Sequence, residues 1–154
     1  VAWTGVINTN PAMVYISVRP ERYSYEIIKK SKEFVINLTN EELAYATDWS
    51  GVKSGKDVDK FKEMHLTPIQ GKEVKAPLLA ESPVNIECRV KQIIKLGTHD
   101  MFIADVVAVH ADEKYMDEKG KFHLDKAQPI VYSHGSYVLT GETIGTFGYS
   151  VKKK

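Results

Sequence analysis

A chain of 154 residues, 43% hydrophobic and 27% charged, has the apolar content of one ordinary globular domain spanning residues 1–154, and its length calls for no second. With 21 Lys and Arg against 20 Asp and Glu, bulk charge draws it neither to nucleic acid nor to a membrane surface, although a local basic pocket remains open. No apolar run approaches the roughly 18 residues of a membrane span and no signal-peptide pattern opens the chain, so the sequence predicts a soluble cytoplasmic protein. The lone cysteine, Cys88, excludes an intrachain disulfide and a multi-cysteine metal or iron–sulfur centre, and any redox chemistry must come from a bound cofactor.

The chain begins in strand-like sequence, Val1 to Ile7, without a methionine, which leads us to expect a preceding segment, a first strand. Asn8-Thr9-Asn10-Pro11 is a cluster of turn residues. Met13 to Val18 is a β-branched and aromatic run that meets Pro20, which keeps Arg19 extended. The spacing of Tyr25, Ile27 and Ile28 then predicts a helix over about Tyr23 to Ser31. A strand thus feeds a helix, and at that junction free N–H groups, the positive end of the helix, two arginines (Arg19, Arg22) and two serines (Ser17, Ser24) gather in a few residues. That environment suits a phosphate, and it reads equally as solvated charges beside a turn.

Glu33 to Leu38 is a short buried strand. Thr39 and Glu42 have the spacing of a capping box that starts a helix continuing through Leu43 to Thr47. Asp48 to Phe61 is loop-like and ends in a short helical pattern. Its Gly51-Val52-Lys53-Ser54-Gly55-Lys56 fails as a P-loop, with three residues between the glycines and Asp57 after the lysine. Small residues, serines and lysines in one loop can still bind an anion, or form plain solvated surface.

Pro68, Pro77 and Pro83 make the next stretch irregular. Val84 to Lys91 alternates, with Val84, Ile86, Cys88 and Val90 on one face and Asn85, Glu87, Arg89 and Lys91 on the other, and Cys88 reads as a small core residue. Gly97-Thr98-His99-Asp100 turns the chain into Met101 to His110, completing a long antiparallel hairpin. A charged excursion from Asp112 to Asp125, a last short strand Pro129 to Tyr132, glycine-rich turns and a basic Lys152-Lys153-Lys154 end follow. About six short strands with a few short helices predict a mainly β, antiparallel, closed or nearly closed barrel.

None of the five histidines has metal-ligand spacing, so no metal site is expected. Neither a G-x-S-x-G elbow nor a G-x-G-x-x-G turn is present. His99, at a hairpin tip beside Gly97, is the histidine placed to reach a ligand; the alternative is that it caps the hairpin through Asp100 or a backbone carbonyl.

Val1-Ala2-Trp3-Thr4-Gly5 with Asn10-Pro11, Ser17-Val18-Arg19-Pro20 with Arg22-Tyr23-Ser24, Ser50 to Gly55 with Asp59-Lys60-Phe61, and Pro129 to Tyr132 together resemble the flavin reductase-like family over essentially the whole chain. The likeness is greatest to its flavoredoxin branch. The resemblance implies a homodimer of Greek-key split β-barrels binding FMN near the subunit interface, FAD being the lesser alternative, with NADH or NADPH as co-substrate. It implies Ala2, Trp3, Thr4 and Gly5 beside the flavin ring, Ser17, Val18, Arg19 and Ser24 at the phosphate, Ser54 and Lys60 closing over it, and His99 near flavin or nicotinamide. The implied activity is electron transfer from NAD(P)H to free flavin, ferric complexes or a protein acceptor, or that of an electron carrier or non-catalytic flavin-binding domain. The Pro11-Ala12 pair and the Ala2-Trp3 strand depart from the family's usual double proline and serine-rich ring strand.

Overall fold

A computed structural model describes residues 1–152. The chain runs β1 (Thr4–Thr9), β2 (Ala12–Val18), α1 (Tyr23–Ser31), β3 (Glu33–Asn37), α2 (Ala44–Val52), α3 (Lys60–Glu63), β4 (Pro68–Ile69), β5 (Leu78–Leu79), β6 (Val84–Lys95), β7 (Asp100–Ala111), β8 (Ile130–Ser133) and β9 (Ser136–Leu139). Five strands pair antiparallel in the order β1-β2-β7-β6-β3, and β4-β5 and β8-β9 form two small sheets beside them. The expected mainly β, antiparallel class is the one found. Lys153 and Lys154 of the expected basic end lie outside the described residues. Among the described residues no helix is long and apolar enough to cross a membrane.

The period of two in β2 buries Val14, Ile16 and Val18 on one face, where they meet Phe34 of β3, Cys88 of β6 and Phe102 and Ala104 of β7. Helix α1 covers this face with Tyr25 and, one turn on, Ile28, the i,i+3 spacing that puts both on one side. The Tyr25 ring meets Phe102 edge-on, centroids 5.4 Å apart. Burial of each such large side chain contributes about 1.5–3 kcal/mol. Cys88 is fully buried, as expected, and burial first, then the neighbouring Glu87 charge, pushes its thiol up to about 12; it is inert core.

Several boundaries differ from expectation. β1 begins at Thr4, not Val1, and runs on to Thr9 through a bulge between Val6 and Asn8. The capping box at Thr39 does not form: the Asn40 side chain, buried, accepts the Leu43 N–H at 3.2 Å, and α2 starts only at Ala44. α2 then continues through Trp49 and Gly51 to Val52, where the sequence suggested loop. β9 turns the expected last strand into a hairpin with β8.

The largest difference lies on β6, where the polar face is buried as deeply as the apolar one at Asn85 and Glu87. Asn85 exchanges two hydrogen bonds with the Leu79 backbone (2.9 and 3.1 Å). Glu87, 0% exposed, accepts the N–H groups of Lys72, Glu73 and Val74 at 2.9, 2.7 and 2.8 Å and is bonded to His110 Nε2. The irregular, proline-punctuated segment before β6 therefore folds back over β6 and hands its orphan donors to these two side chains. Gly71 permits the approach, since a Cβ there would stand 2.8 Å from Glu87 Oε2 and 2.9 Å from the Val74 carbonyl.

Burial alone would raise the Glu87 pKa. The Lys72 N–H, His110 and the Glu73 and Val74 N–H groups outweigh it and hold the carboxyl at about 2, against 4.5 ordinarily. A depressed folded pKa stabilises above the unfolded value and loses that stabilisation as pH falls through the folded one. Wild-type unfolding free energy should decline between about pH 4.5 and 2 from this group. Glu87→Ala should lose on the order of 3 kcal/mol at pH 7 and lack that part of the acid slope. Urea titrations at several pH values read both, and a slope unchanged in the variant would place the acid sensitivity elsewhere.

Candidate functional site

Strand register brings the separate motifs to one end of the sheet. Thr4 pairs with Ile16, so the preceding Trp3 reaches Ser17, whose N–H donates to the Trp3 carbonyl at 2.9 Å. Val18 pairs with Asp100, which puts His99, one residue earlier, at the Arg19 end of β2. The Trp3 and His99 rings stack there, centroids 4.3 Å apart and 24° between planes. His99 is partly buried, with Thr98 Oγ1 at 3.0 Å from its Nδ1, while its carbonyl accepts the Leu96 N–H. The structure thus brings His99 against Trp3, just ahead of β1, and no His99–Asp100 side-chain bond forms among the described residues.

The other residues expected beside a flavin ring are placed unequally. Ala2 is exposed. The Thr4 hydroxyl is taken by the Tyr15 carbonyl at 2.8 Å, leaving its backbone for a ligand. Gly5 lies under the Tyr15 ring, where a Cβ would come within 2.8 Å. Any side chain at that position would push the Tyr15 ring aside.

At the start of α1, Arg22 is the extended N-cap residue and no side chain caps the helix. The first-turn N–H groups of Tyr23 and Ser24 are without intrahelical partners, as helix geometry dictates. Ser17 and Ser24 make no side-chain hydrogen bond within the described residues, and both hydroxyls are available. Val18 packs its side chain into the core at 3% exposure, so only its backbone can serve a ligand. Arg19 pairs with exposed Glu21 at 3.3 Å.

The loop after α2 closes on this helix start. A Cβ at Gly55 would stand 3.3 Å from the Tyr23 ring and 3.9 Å from the Lys60 stem. Ser54 Oγ accepts the Lys56 N–H at 3.2 Å. Lys60, partly buried, donates to the Ser50 carbonyl at the end of α2. Burial and then the charge of Arg22 lower the Lys60 pKa. Among the described residues neither Arg22 nor Lys60 has a carboxylate partner. The neighbouring Asp59 is spent capping α3 through the Phe61 and Lys62 N–H groups. Lys60 lies within the reach of the Arg22 charge beside an uncapped helix start, an arrangement that is unfavourable when empty and suits a compact polyanion. The residues present therefore fit a phosphate group.

Arg22 is the participant that the residue-by-residue reading left unassigned; its signal was its place immediately before the first helical residue. Two surface hollows lie elsewhere, one lined by Asp125, Gln128 and Leu139, the other by Met116 and Lys119, and neither includes a candidate site residue.

The profile of the flavin reductase-like domain matches residues 1–141. Among solved structures, the flavoredoxin of Desulfovibrio vulgaris (Miyazaki F) superposes with a TM-score of 0.91 at 28% identity, covering 98% of this chain and 82% of that one. A flavoredoxin from Methanosarcina acetivorans gives 0.87 at 28% identity, covering 97% and 82%. An uncharacterized protein of Pyrococcus abyssi is 34% identical over 122 residues, 79% of this chain and 69% of its own length. The chain spans 66% of an Archaeoglobus fulgidus relative and 49% of one from Aeropyrum pernix, so the curated relatives it matches are longer proteins.

A charge held for a ligand should cost the empty protein little to lose. Arg22→Gln is expected to leave the ligand-free protein within about 0.5 kcal/mol of wild type and to reduce the rise in Tm that added inorganic phosphate produces at low ionic strength. Thermal unfolding with and without phosphate reads both effects. A variant that unfolds well below wild type without phosphate would make Arg22 a structural residue.

Proposed function

The chain belongs to the flavin reductase-like family of flavin-binding oxidoreductases, and from that premise we propose that it binds FMN noncovalently and passes electrons from NADH or NADPH to free flavin, a ferric complex or a protein acceptor. The observation that carries the reading is the fold-back of the Gly55 loop and Lys60 onto the uncapped start of α1, where among the described residues neither Lys60 nor Arg22 has a carboxylate partner. A terminal phosphate monoester is close to a dianion at neutral pH, which two cations and a helix start match. The diphosphate of FAD carries one charge per phosphorus and lies within a longer chain, so FMN suits the cluster better.

In this reading Ser17, Arg19, Arg22 and Ser24 hold the phosphate from the β2–α1 junction, and Ser54 and Lys60 close from the opposite loop. The backbone of Ala2 to Gly5 lies along the ring. Bound flavin would supply hydride acceptance and stepwise electron release, so the chain needs no obligatory acid or base. Trp3 and His99 brace one another, and with Nδ1 beside Thr98 the His99 Nε2 is left to orient a ligand. The ring-side residues are largely exposed in a single copy, which favours a homodimeric, cytoplasmic protein in which a second subunit deepens the cleft.

A carrier with little nicotinamide activity is the second reading, favoured by the 28% identity to flavoredoxins. Anaerobic NADH oxidation with and without added flavin separates the two. A purified protein that stays colourless and ignores added FMN would overturn both.

Two outcomes are expected for variants. Arg19→Ala and Lys60→Ala should each weaken FMN binding at least about tenfold, the loss of a charge-assisted contact of roughly 1.5–3 kcal/mol; an unchanged dissociation constant removes that residue from the phosphate site. His99→Ala should slow stopped-flow reduction of the FMN-loaded protein by NADH or NADPH without abolishing it, each tenfold being about 1.4 kcal/mol of barrier. A wild-type rate with both nucleotides would make His99 purely structural.

A further inference from the structure

The segment that carries most of the candidate phosphate donors is a loop with both ends fastened to one residue. Every residue from Arg19 to Ser24 is exposed, whereas the flanking Val18 and Tyr25 are 3% and 5% exposed. At one end Val18 pairs with Asp100 across β2 and β7. At the other the Tyr25 hydroxyl donates to Asp100 Oδ2 at 2.5 Å. Between these ends the chain turns through its own backbone, with the Arg22 N–H on the Arg19 carbonyl at 3.0 Å and the Tyr25 N–H on the Arg22 carbonyl at 2.9 Å. Among the described residues, the one side-chain hydrogen bond made from Arg19 to Ser24 is the Arg19–Glu21 pair, which is internal to the loop.

Stability alone is a poor reason for a carboxylate at Asp100. The residue is 4% exposed, and Tyr25 is the one side chain bonded to it among the described residues. Burying that charge is costly, and apolar side chains of the same shape hold a helix as well or better. The Tyr25 ring already has such a contact, edge-on against Phe102. A hydrogen bond adds direction: it fixes where the phenol oxygen stands, and with it the first turn of α1, which apolar packing leaves freer to slide. By charge alone, a carboxylate at the foot of this loop works against an anion. Its geometry must therefore serve the ligand that its charge disfavours.

We propose that Asp100 and Tyr25 are positioning residues of the anion site, closing the loop from Arg19 to Ser24 in the shape that receives a phosphate. The inference rests on the reading of the β2–α1 junction as the phosphate site and deepens it; neither residue touches the ligand. Ordering a loose loop on binding is subtracted from the affinity, and a site that is competent only part of the time binds more weakly by that fraction.

The test separates affinity from stability. Tyr25→Phe/Asp100→Leu replaces both partners by apolar groups and strands no buried charge, so the variant should fold with a Tm close to wild type. Asp100→Asn is the conservative control, because its carboxamide oxygen still accepts the phenol proton. Each protein is titrated with FMN, with riboflavin, which has the same ring and no phosphate, and, by thermal shift, with inorganic phosphate. The double variant is expected to lose at least about tenfold in FMN affinity and most of the phosphate-induced rise in Tm, with riboflavin affinity changed by less than about threefold. Asp100→Asn should keep FMN affinity within about threefold of wild type. The sign is decisive, since removing a negative charge would by itself tighten anion binding. FMN binding that is unchanged or tighter in the double variant would overturn the positioning role and leave the phosphate site standing. Equal losses for FMN and riboflavin, or a large fall in Tm accompanying the loss, would make the pair an ordinary core contact. A wild type that binds neither FMN nor phosphate would overturn the phosphate reading and this inference with it.

Discussion

The hydrogen bond from Tyr25 to Asp100, 2.5 Å long and buried, joins three elements that covalent connectivity leaves apart. Asp100 is the first residue of β7, follows His99 directly and pairs with Val18 at the end of β2. Tyr25 lies in the first turn of α1 and in the core against Phe102. One carboxylate thus sets the distance between the helix start, the end of β2 and the hairpin tip. The bond to Asp100 first, then burial and the Asp100 charge, push the Tyr25 phenol up to about 12, so the proton stays on the tyrosine and the bond persists across the physiological range. A charge-assisted bond of this kind contributes about 1.5–3 kcal/mol, and losing the donor would strand a buried carboxylate. This contact ties the start of α1 to the first residue of β7, next in the chain to His99.

The fold treats its charges in two opposite ways. Glu87 is saturated, with three backbone donors and an imidazole around one carboxylate, and its work is to fasten the irregular segment before β6. Lys60 and Arg22 are left without counter-charge at the mouth of a helix among the described residues, and burial followed by the Arg22 charge lowers the Lys60 pKa. A saturated buried charge stabilises the native chain and offers nothing to a ligand. An unsaturated cluster does the reverse, and that contrast separates structural from functional electrostatics here more clearly than exposure or residue type.

The parts of the fold that were legible in the sequence are those whose periodicity is answered by a single face. The bounds of α1, the alternation of β2 and the long β6–β7 hairpin all follow from apolar spacing against one core. Legibility fails where a second layer intervenes. Asn85 and Glu87 look like an outer polar face because nothing in local pattern announces that residues 70–79 will return to cover it. Thr39 and Glu42 have capping-box spacing, but Asn40 is buried by the Pro129 bridge and takes the turn instead. Gly51 reads as a loop residue, yet its neighbours Trp49 and Val52 continue the helix. At the site, the strand–helix junction with Arg19 and Arg22 was readable as an anion environment, whereas the fold-back of the Gly55 loop and Lys60 onto the helix start was not, because no local pattern announces it.

α2 belongs to both halves of the molecule's chemistry. Its C-terminal carbonyls are orphans by helix geometry, and one of them, on Ser50, is answered by Lys60; its length is anchored on the hairpin through Asp48 and Tyr137. In a single copy none of its residues is fully buried. A nine-residue helix is too short to be stable on propensity alone, so whatever covers α2 also decides how firmly Ser50 presents its carbonyl to Lys60. Lys60 in turn is the cation that the loop brings to Arg22. An anion bound between these two cations would stiffen the same carbonyl contact from the opposite side. Anything that covers α2 and an anion bound between Lys60 and Arg22 would therefore act on one short helix, and each would lower the ordering cost that the other meets.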